Sequence, residues 1–110
     1  MTESPNVKLV IYVPFSHADV IRKALGEAGA GKIGNYSFCS FSSSGKGRFL
    51  PNDAARPAVG EPGKHEVVEE ERIEVVCPKE LLQTVLSAVR EMHPYEEMAF
   101  DIYPLLAVEE

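Results

Sequence analysis

Cysteine is scarce in this 110-residue chain, which has two, and tryptophan is absent. Two cysteines cannot build a disulfide framework, and the spacing of Cys39 and Cys77 matches no zinc pattern. We expect two free thiols in a reducing compartment, which predicts a cytoplasmic protein. The sequence also lacks an apolar run of about 18 residues, so no membrane partner is expected. The segment formed by residues 1–7 is short and acidic and does not fit a signal peptide.

Positive charge is in deficit, since the formal net charge is −6. Residues 1–60 hold seven Lys or Arg against four Asp or Glu, whereas residues 61–110 hold four against thirteen. A chain of this charge repels nucleic acid, so no nucleic-acid partner is expected.

Basic residues among glycines form the candidate ligand-binding set, which is Gly45, Lys46, Gly47, Arg48 and Arg56. They could receive a small anion. They could equally be solvated or face the acidic half of a neighbouring subunit.

Length and composition predict one folded domain over residues 1–110 with a core at about 7–105, because 45% of the residues are hydrophobic and 25% are charged. Apolar periodicity predicts strands at 7–13, 36–41, 48–50, 65–77 and 99–105, a turn at 43–47 and a surface loop at 52–64. Helices are expected after Ser16 and after Pro78. The order β-α-β-β-α-β, with a short extra strand near residue 49, predicts an α+β ferredoxin-like sandwich with both helices on one face of the sheet.

The first helix carries a start signal in Ser16, an expected N-cap, with Asp19 at the third helical position. Phe15 and Val20 are placed to form a hydrophobic staple across this start. The predicted buried face comprises Val20, Ile21, Ala24, Leu25 and Ala28. In the second helix the corresponding stripe comprises Leu82, Val85, Leu86 and Val89.

The segment Gly26–Lys32 fits the spacing of a phosphate-binding P-loop, but Ile33 stands where magnesium needs Ser or Thr. The glycines also follow a helix instead of preceding one, so a glycine-rich helix stop is the better interpretation. The chain shows no nucleophile–base pair either, and no catalytic residue is predicted.

Imidazole and carboxylate groups lie close together in the segment His93-Pro-Tyr-Glu96-Glu97, and His65 precedes Glu66. His65, His93, Glu96 and Glu97 are therefore candidate ligands of a divalent metal, the one cofactor that the sequence suggests. Such a site would need three or more converging ligands. In the structural alternative, a partly cationic His93 caps the second helix.

Several further motifs occur together in one order along the chain: Gly29–Tyr36, Cys39–Phe41, Gly45–Pro51, Gly60–Gly63, Val68–Glu74, His93–Ala99 and Asp101–Pro104. In this order they resemble the PII-like insert domain of the Nif-three-like proteins, also called YqfO-type proteins. The free-standing bacterial versions of that domain are more similar still, and the resemblance extends from about residue 7 to 105.

The resemblance implies a fold related to CutA and PII proteins, which typically assemble as trimers. In the larger Nif-three-like proteins the flanking domains supply a dinuclear metal site, so those ligands are not expected here. We expect a trimeric regulatory module without catalysis. Its site for a small ligand, metal or protein partner is expected at subunit clefts, near residues 45–63 and the corner at His93–Glu97. The alternative is a metal-dependent hydrolase that uses His65, His93 and nearby glutamates.

Overall fold

The computed structural model describes residues 1–109 and consists of one four-stranded antiparallel sheet with two helices. The strands lie in the spatial order β2-β3-β1-β4. This arrangement confirms the predicted ferredoxin-like α+β fold. The elements are β1 (Thr2–Pro14), α1 (Ala18–Glu27), β2 (Phe41–Phe49), β3 (Glu66–Pro78), α2 (Leu82–Met92) and β4 (Phe100–Ala107).

The core lies between the helices and one face of the sheet, because strand side chains alternate between the two faces. Leu9 and Ile11 of β1 and Ile73 of β3 are fully buried on the helix-covered face. The predicted stripe of α2 is confirmed by Val85, Leu86 and Val89, which are buried. The opposite face of the sheet, called here the open face, carries no helix and holds Tyr12, Phe41, Glu70, Arg72 and Tyr103.

The start of α1 differs from the prediction. A single 3₁₀ turn, Phe15–His17, comes first, and His17 occupies the N-cap position without a side-chain capping bond. The Ser16 hydroxyl instead contacts Nδ1 of His17 at 2.8 Å. The expected capping box is therefore wrong, because the 3₁₀ turn moves the first α-helical residue two positions beyond Ser16. Ile21 and Leu25 are buried as predicted, whereas Val20 is 43% exposed.

Strand β2 runs straight through the segment predicted as a turn. It pairs with β3 residue for residue, from Phe41 opposite Glu74 to Phe49 opposite Glu66. This ladder outweighs the low strand propensity of the serines and glycines, which is a weak and context-dependent preference. The predicted strand at 36–41 is also wrong. Between α1 and β2 the chain forms only an isolated bridge, from Ile33 to Tyr36, and β2 begins at Phe41.

The molecule is elongated, with extents of 52 × 26 × 24 Å. Its radius of gyration is 15.4 Å, against about 13 Å for a compact domain of this length. The predicted surface loop at 52–64 is confirmed and connects the two strands. Across residues 1–109, no helix has the length and apolar character that a membrane crossing requires.

Candidate functional site

The loop between β2 and β3 folds onto the corner that follows α2, so the two regions singled out in the sequence meet within one chain. The backbone N–H of Arg56 donates a hydrogen bond to Oε1 of Glu96 at 2.8 Å. The rings of Phe49 and Tyr95 lie 6.2 Å apart between centroids. Together they border a cleft of about 310 Å³, called here the loop–corner cleft. Its walls also include Leu50, Pro51, Pro57, Ala58, Val59 and Ala99.

His93 fixes the geometry of the corner. Its Nδ1 accepts a hydrogen bond from the backbone N–H of Tyr95 at 3.1 Å, so Nε2 must carry the proton that it donates to the Tyr12 carbonyl at 2.8 Å. Burial lowers the pKa of His93, which favours this neutral form. His93 is the C-cap residue of α2, as the structural alternative expected, and its backbone N–H donates to the Val89 carbonyl at 3.0 Å. Its ring, however, is a neutral link between β1 and the corner and not the partly cationic group that the sequence suggested.

Tyr95 and Glu70 connect the corner to the sheet. The Tyr95 hydroxyl donates to Oε2 of Glu70 at 2.9 Å. Burial and the neighbouring Glu70 carboxylate raise the pKa of Tyr95, so the phenol stays protonated and remains a donor. Gly47 makes room for this pair, because a Cβ at residue 47 would lie 2.1 Å from Oε1 of Glu70.

The predicted basic residues do not converge. Lys46 pairs with Glu69 of the adjacent strand. The Arg56 guanidinium turns back onto its own loop, 3.2 Å from the Ala55 carbonyl and 3.5 Å from that of Ala54. Arg48 lies at the edge of the loop–corner cleft and is exposed. The three side chains do not form one site within the single chain, so a small-anion site built from them stays a prediction.

A second, smaller cleft of about 200 Å³ lies on the open face. Gly45 and Lys46 contribute to it, together with Tyr12 and Arg72. The Arg72 guanidinium lies within hydrogen-bond distance of two hydroxyls, 3.3 Å from that of Tyr12 and 3.5 Å from that of Tyr103. Its Nε is buried and has no hydrogen-bond partner within the described part of the chain.

The four candidate metal ligands are divided between two places. His93, Glu96 and Glu97 border one surface depression, while His65 is exposed at the other end of the loop. Both ring nitrogens of His93 are already hydrogen-bonded. Over residues 1–109 no group of three or more His, Cys, Asp or Glu side chains is placed to hold a metal ion.

Comparison with known proteins gives relatives that match most of the chain. No protein-family model matches it. The GTP cyclohydrolase 1 type 2 homolog of Bacillus subtilis is 52% identical over 101 residues, which cover 92% of this chain and 27% of that protein. The Mycobacterium tuberculosis homolog is 52% identical over 99 residues, which cover 90% of this chain and 26% of the homolog.

A solved structure agrees. The Bacillus cereus protein related to NIF3 superposes with a TM-score of 0.80 at 49% identity, covering 94% of this chain and 26% of that one. The chain is homologous to one segment of the Nif-three-like proteins. It spans about a quarter of the length of the relatives that it matches.

The fold of this Nif-three-like segment is shared with CutA proteins. The periplasmic divalent cation tolerance protein CutA of Archaeoglobus fulgidus superposes with a TM-score of 0.69 at 21% identity, covering 96% of this chain and 88% of that one. CutA1 of Shewanella sp. SIB1 superposes with a TM-score of 0.71 at 16% identity. At these identities the likeness shows the fold alone, and it confirms the predicted CutA-like architecture.

Sequence reasoning underrated Tyr95 and Glu70 in this Nif-three-like segment. Neither residue is among the candidate site residues drawn from the sequence, yet they form the hydrogen bond between the corner and β3. The available signal was the Nif-three-like resemblance itself, since both residues lie in motifs that carry it.

Proposed function

We propose that this Nif-three-like chain is a non-catalytic regulatory module that binds a small ligand in the loop–corner cleft and assembles as a homotrimer in the cytoplasm. The observation that carries the proposal is the contact between the hairpin loop and the corner, made by Arg56 and Glu96. It encloses a cleft of about 310 Å³, the lower end of the range for small-molecule sites, with mostly apolar walls and a few polar groups.

The open face supports assembly. Phe41 is 68% exposed and Tyr103 is 41% exposed on this face. Every residue of β2 is exposed or half-buried in the single chain. Apolar surface of this kind is typical of interaction sites, and neighbouring copies would cover it.

The proposal includes no cyclohydrolase chemistry. The relatives that carry GTP cyclohydrolase in their name are about four times as long as this chain, and their whole-protein activity is not transferred to it. The loop–corner cleft offers carboxylates and a phenol held as a hydrogen-bond donor, without a nucleophile beside a base.

The test is a thermal-denaturation panel on metal-stripped protein with divalent metals, nucleotides, small anions and small organic ammonium ions. A specific ligand at 100 times its Kd stabilises the folded state by about 2.7 kcal/mol. The matched variants are Ala58→Phe, which fills the cleft, and Ala54→Phe, which places the same ring on an exposed loop residue outside it.

A supporting compound raises the Tm of the wild type and of Ala54→Phe but not that of Ala58→Phe. The ligand-binding proposal is wrong if no compound in the panel raises the Tm. It is also wrong if the shift persists in Ala58→Phe.

A further inference from the structure

The loop–corner cleft combines two aromatic rings with apolar walls. Phe49 and Tyr95 are half-buried, and their rings are tilted by 57° to each other. Leu50 and Val59 on the adjoining wall are 53% and 39% exposed. Aromatic faces attract cations through their quadrupole, and apolar walls favour a ligand with a hydrocarbon body.

The charges in the cleft are predominantly negative. Glu70, Glu96 and Glu97 line it, and Arg48 is its one basic lining residue. Glu70 accepts the Tyr95 hydrogen bond through Oε2, and Glu96 accepts the Arg56 backbone N–H through Oε1. Each of these two carboxylates has a second oxygen with no hydrogen bond to residues 1–109.

The other basic residues near the loop do not offset this charge. The Lys46 ammonium is paired with Glu69, and the Arg56 guanidinium is turned onto carbonyl oxygens of its own loop. The cleft therefore holds more negative than positive charge on apolar and aromatic walls, which opposes an anion.

We infer that the loop–corner cleft binds an organic ammonium ion, with its hydrocarbon part against Leu50, Pro51 and Val59 and its cationic group between the Tyr95 ring and the carboxylates. This inference rests on the proposed function and specifies the class of ligand. Gly47 contributes by leaving the space that the Glu70 carboxylate occupies beside the cleft. The protonated Tyr95 holds that carboxylate in place while presenting its ring.

Three probes with similar skeletons and different charges test this assignment: 2-phenylethylammonium, neutral 2-phenylethanol and phenylacetate. Binding to the full 12.1 kDa chain is followed by backbone-amide chemical shifts at about pH 7. We expect the ammonium probe to bind at least about tenfold more tightly than the alcohol. The attraction between its charge and a nearby carboxylate at a protein surface lowers the Kd by at least about that factor. Phenylacetate should bind weakest, and the shifts should map to Gly47, Ala58 and Glu97.

Matched variants distinguish the effect of the cleft carboxylates on binding from the effect of negative charge elsewhere on the surface. Glu70→Gln and Glu97→Gln should each raise the Kd for 2-phenylethylammonium about three- to fivefold, whereas Glu91→Gln on the exposed face of α2 should leave it unchanged. The inference is overturned if phenylacetate binds as tightly as the ammonium probe. It is equally overturned if Glu91→Gln weakens binding as much as the two cleft variants.

The failure of this inference differs from failure of the proposed function. If no phenyl probe binds but a compound of the thermal panel protects the wild type and not Ala58→Phe, the cleft is a ligand site of another class. If neither the probes nor the panel bind, both proposals are wrong.

Discussion

Gly47 shows how a missing side chain can position a polar group. A Cβ at residue 47 would overlap the Glu70 carboxylate, so a side chain there would force the carboxylate to move. Gly45, two residues earlier on the same face, has no heavy atom within 4 Å of the corresponding position. The two glycines are alike in sequence context, but only Gly47 supports the contact between Glu70 and Tyr95.

We therefore predict that Gly47→Ala displaces the Glu70 carboxylate and breaks its hydrogen bond with Tyr95. Gly47→Ala should lower the free energy of unfolding by about 1 kcal/mol relative to Gly45→Ala, as measured by urea denaturation. The penalty should disappear in a Tyr95→Phe background, where the hydrogen bond is already absent. An equal penalty in both backgrounds would contradict this explanation.

The buried imidazole of His93 makes stability depend on pH. Burial lowers its pKa in the folded state below the ordinary value of 6.5, so the unfolded chain binds more protons once the pH falls below that value. Acid therefore favours unfolding, and the free energy of unfolding should fall as the pH is lowered from about 7 to about 5.

The variant His93→Gln offers an amide N–H donor group and a carbonyl acceptor without a titrating ring, and it should show a smaller loss of stability over this pH range. His65→Gln, at an exposed position, should retain the wild-type loss. Urea denaturation at both pH values measures the difference. Parallel pH profiles for His93→Gln and the wild type would rule out His93 as the source.

At the scale of elements, two positions of helix α1 differ in burial. Leu25 is 1% exposed within the core, whereas Val20, which the sequence placed on the same face, is 43% exposed. Leu25→Ala should cost about 2–5 kcal/mol of stability through lost burial and a residual cavity. Val20→Ala should change stability by less than about 0.5 kcal/mol. Chemical denaturation of both variants measures this, and similar costs would show that Val20 packs in the core.

Elements with strong internal patterns were predictable, and elements defined by their partners were not. The stripe at Val85 and Val89 encodes its own buried face, and it was placed correctly. Residues 43–47 have turn composition, and only pairing with β3 makes them a strand. The loop and the corner were each recognised as candidate regions. The contact between them joins Arg56 to Glu96, 40 positions apart in the sequence, and no local sequence pattern predicts such a contact.

At the scale of the whole molecule, the open face is the surface that the single chain leaves without a helix layer. Arg72 lies on this face with its buried Nε 3.6 Å from Oε2 of Glu74 and without a hydrogen bond within residues 1–109. Exposed aromatic residues lie on β2 and β4. A neighbouring copy on this face would cover the exposed rings. Phe41 does not line the loop–corner cleft, so a substitution at Phe41 tests assembly separately from ligand binding.

We predict that the wild type sediments at three times the 12.1 kDa chain mass and that Phe41→Asp dissociates the assembly. Phe41 is 68% exposed in the single chain, so a charge there costs the monomer little, whereas at an interface it would be buried without a partner. Ile33→Asp is the matched control, because Ile33 is 57% exposed in the loop before β2 and lies outside the sheet. Sedimentation velocity at equal concentrations should give a trimer for Ile33→Asp and a folded monomer for Phe41→Asp. A wild type that sediments as a monomer, or a Phe41→Asp variant that stays trimeric, would show that the open face does not join the copies.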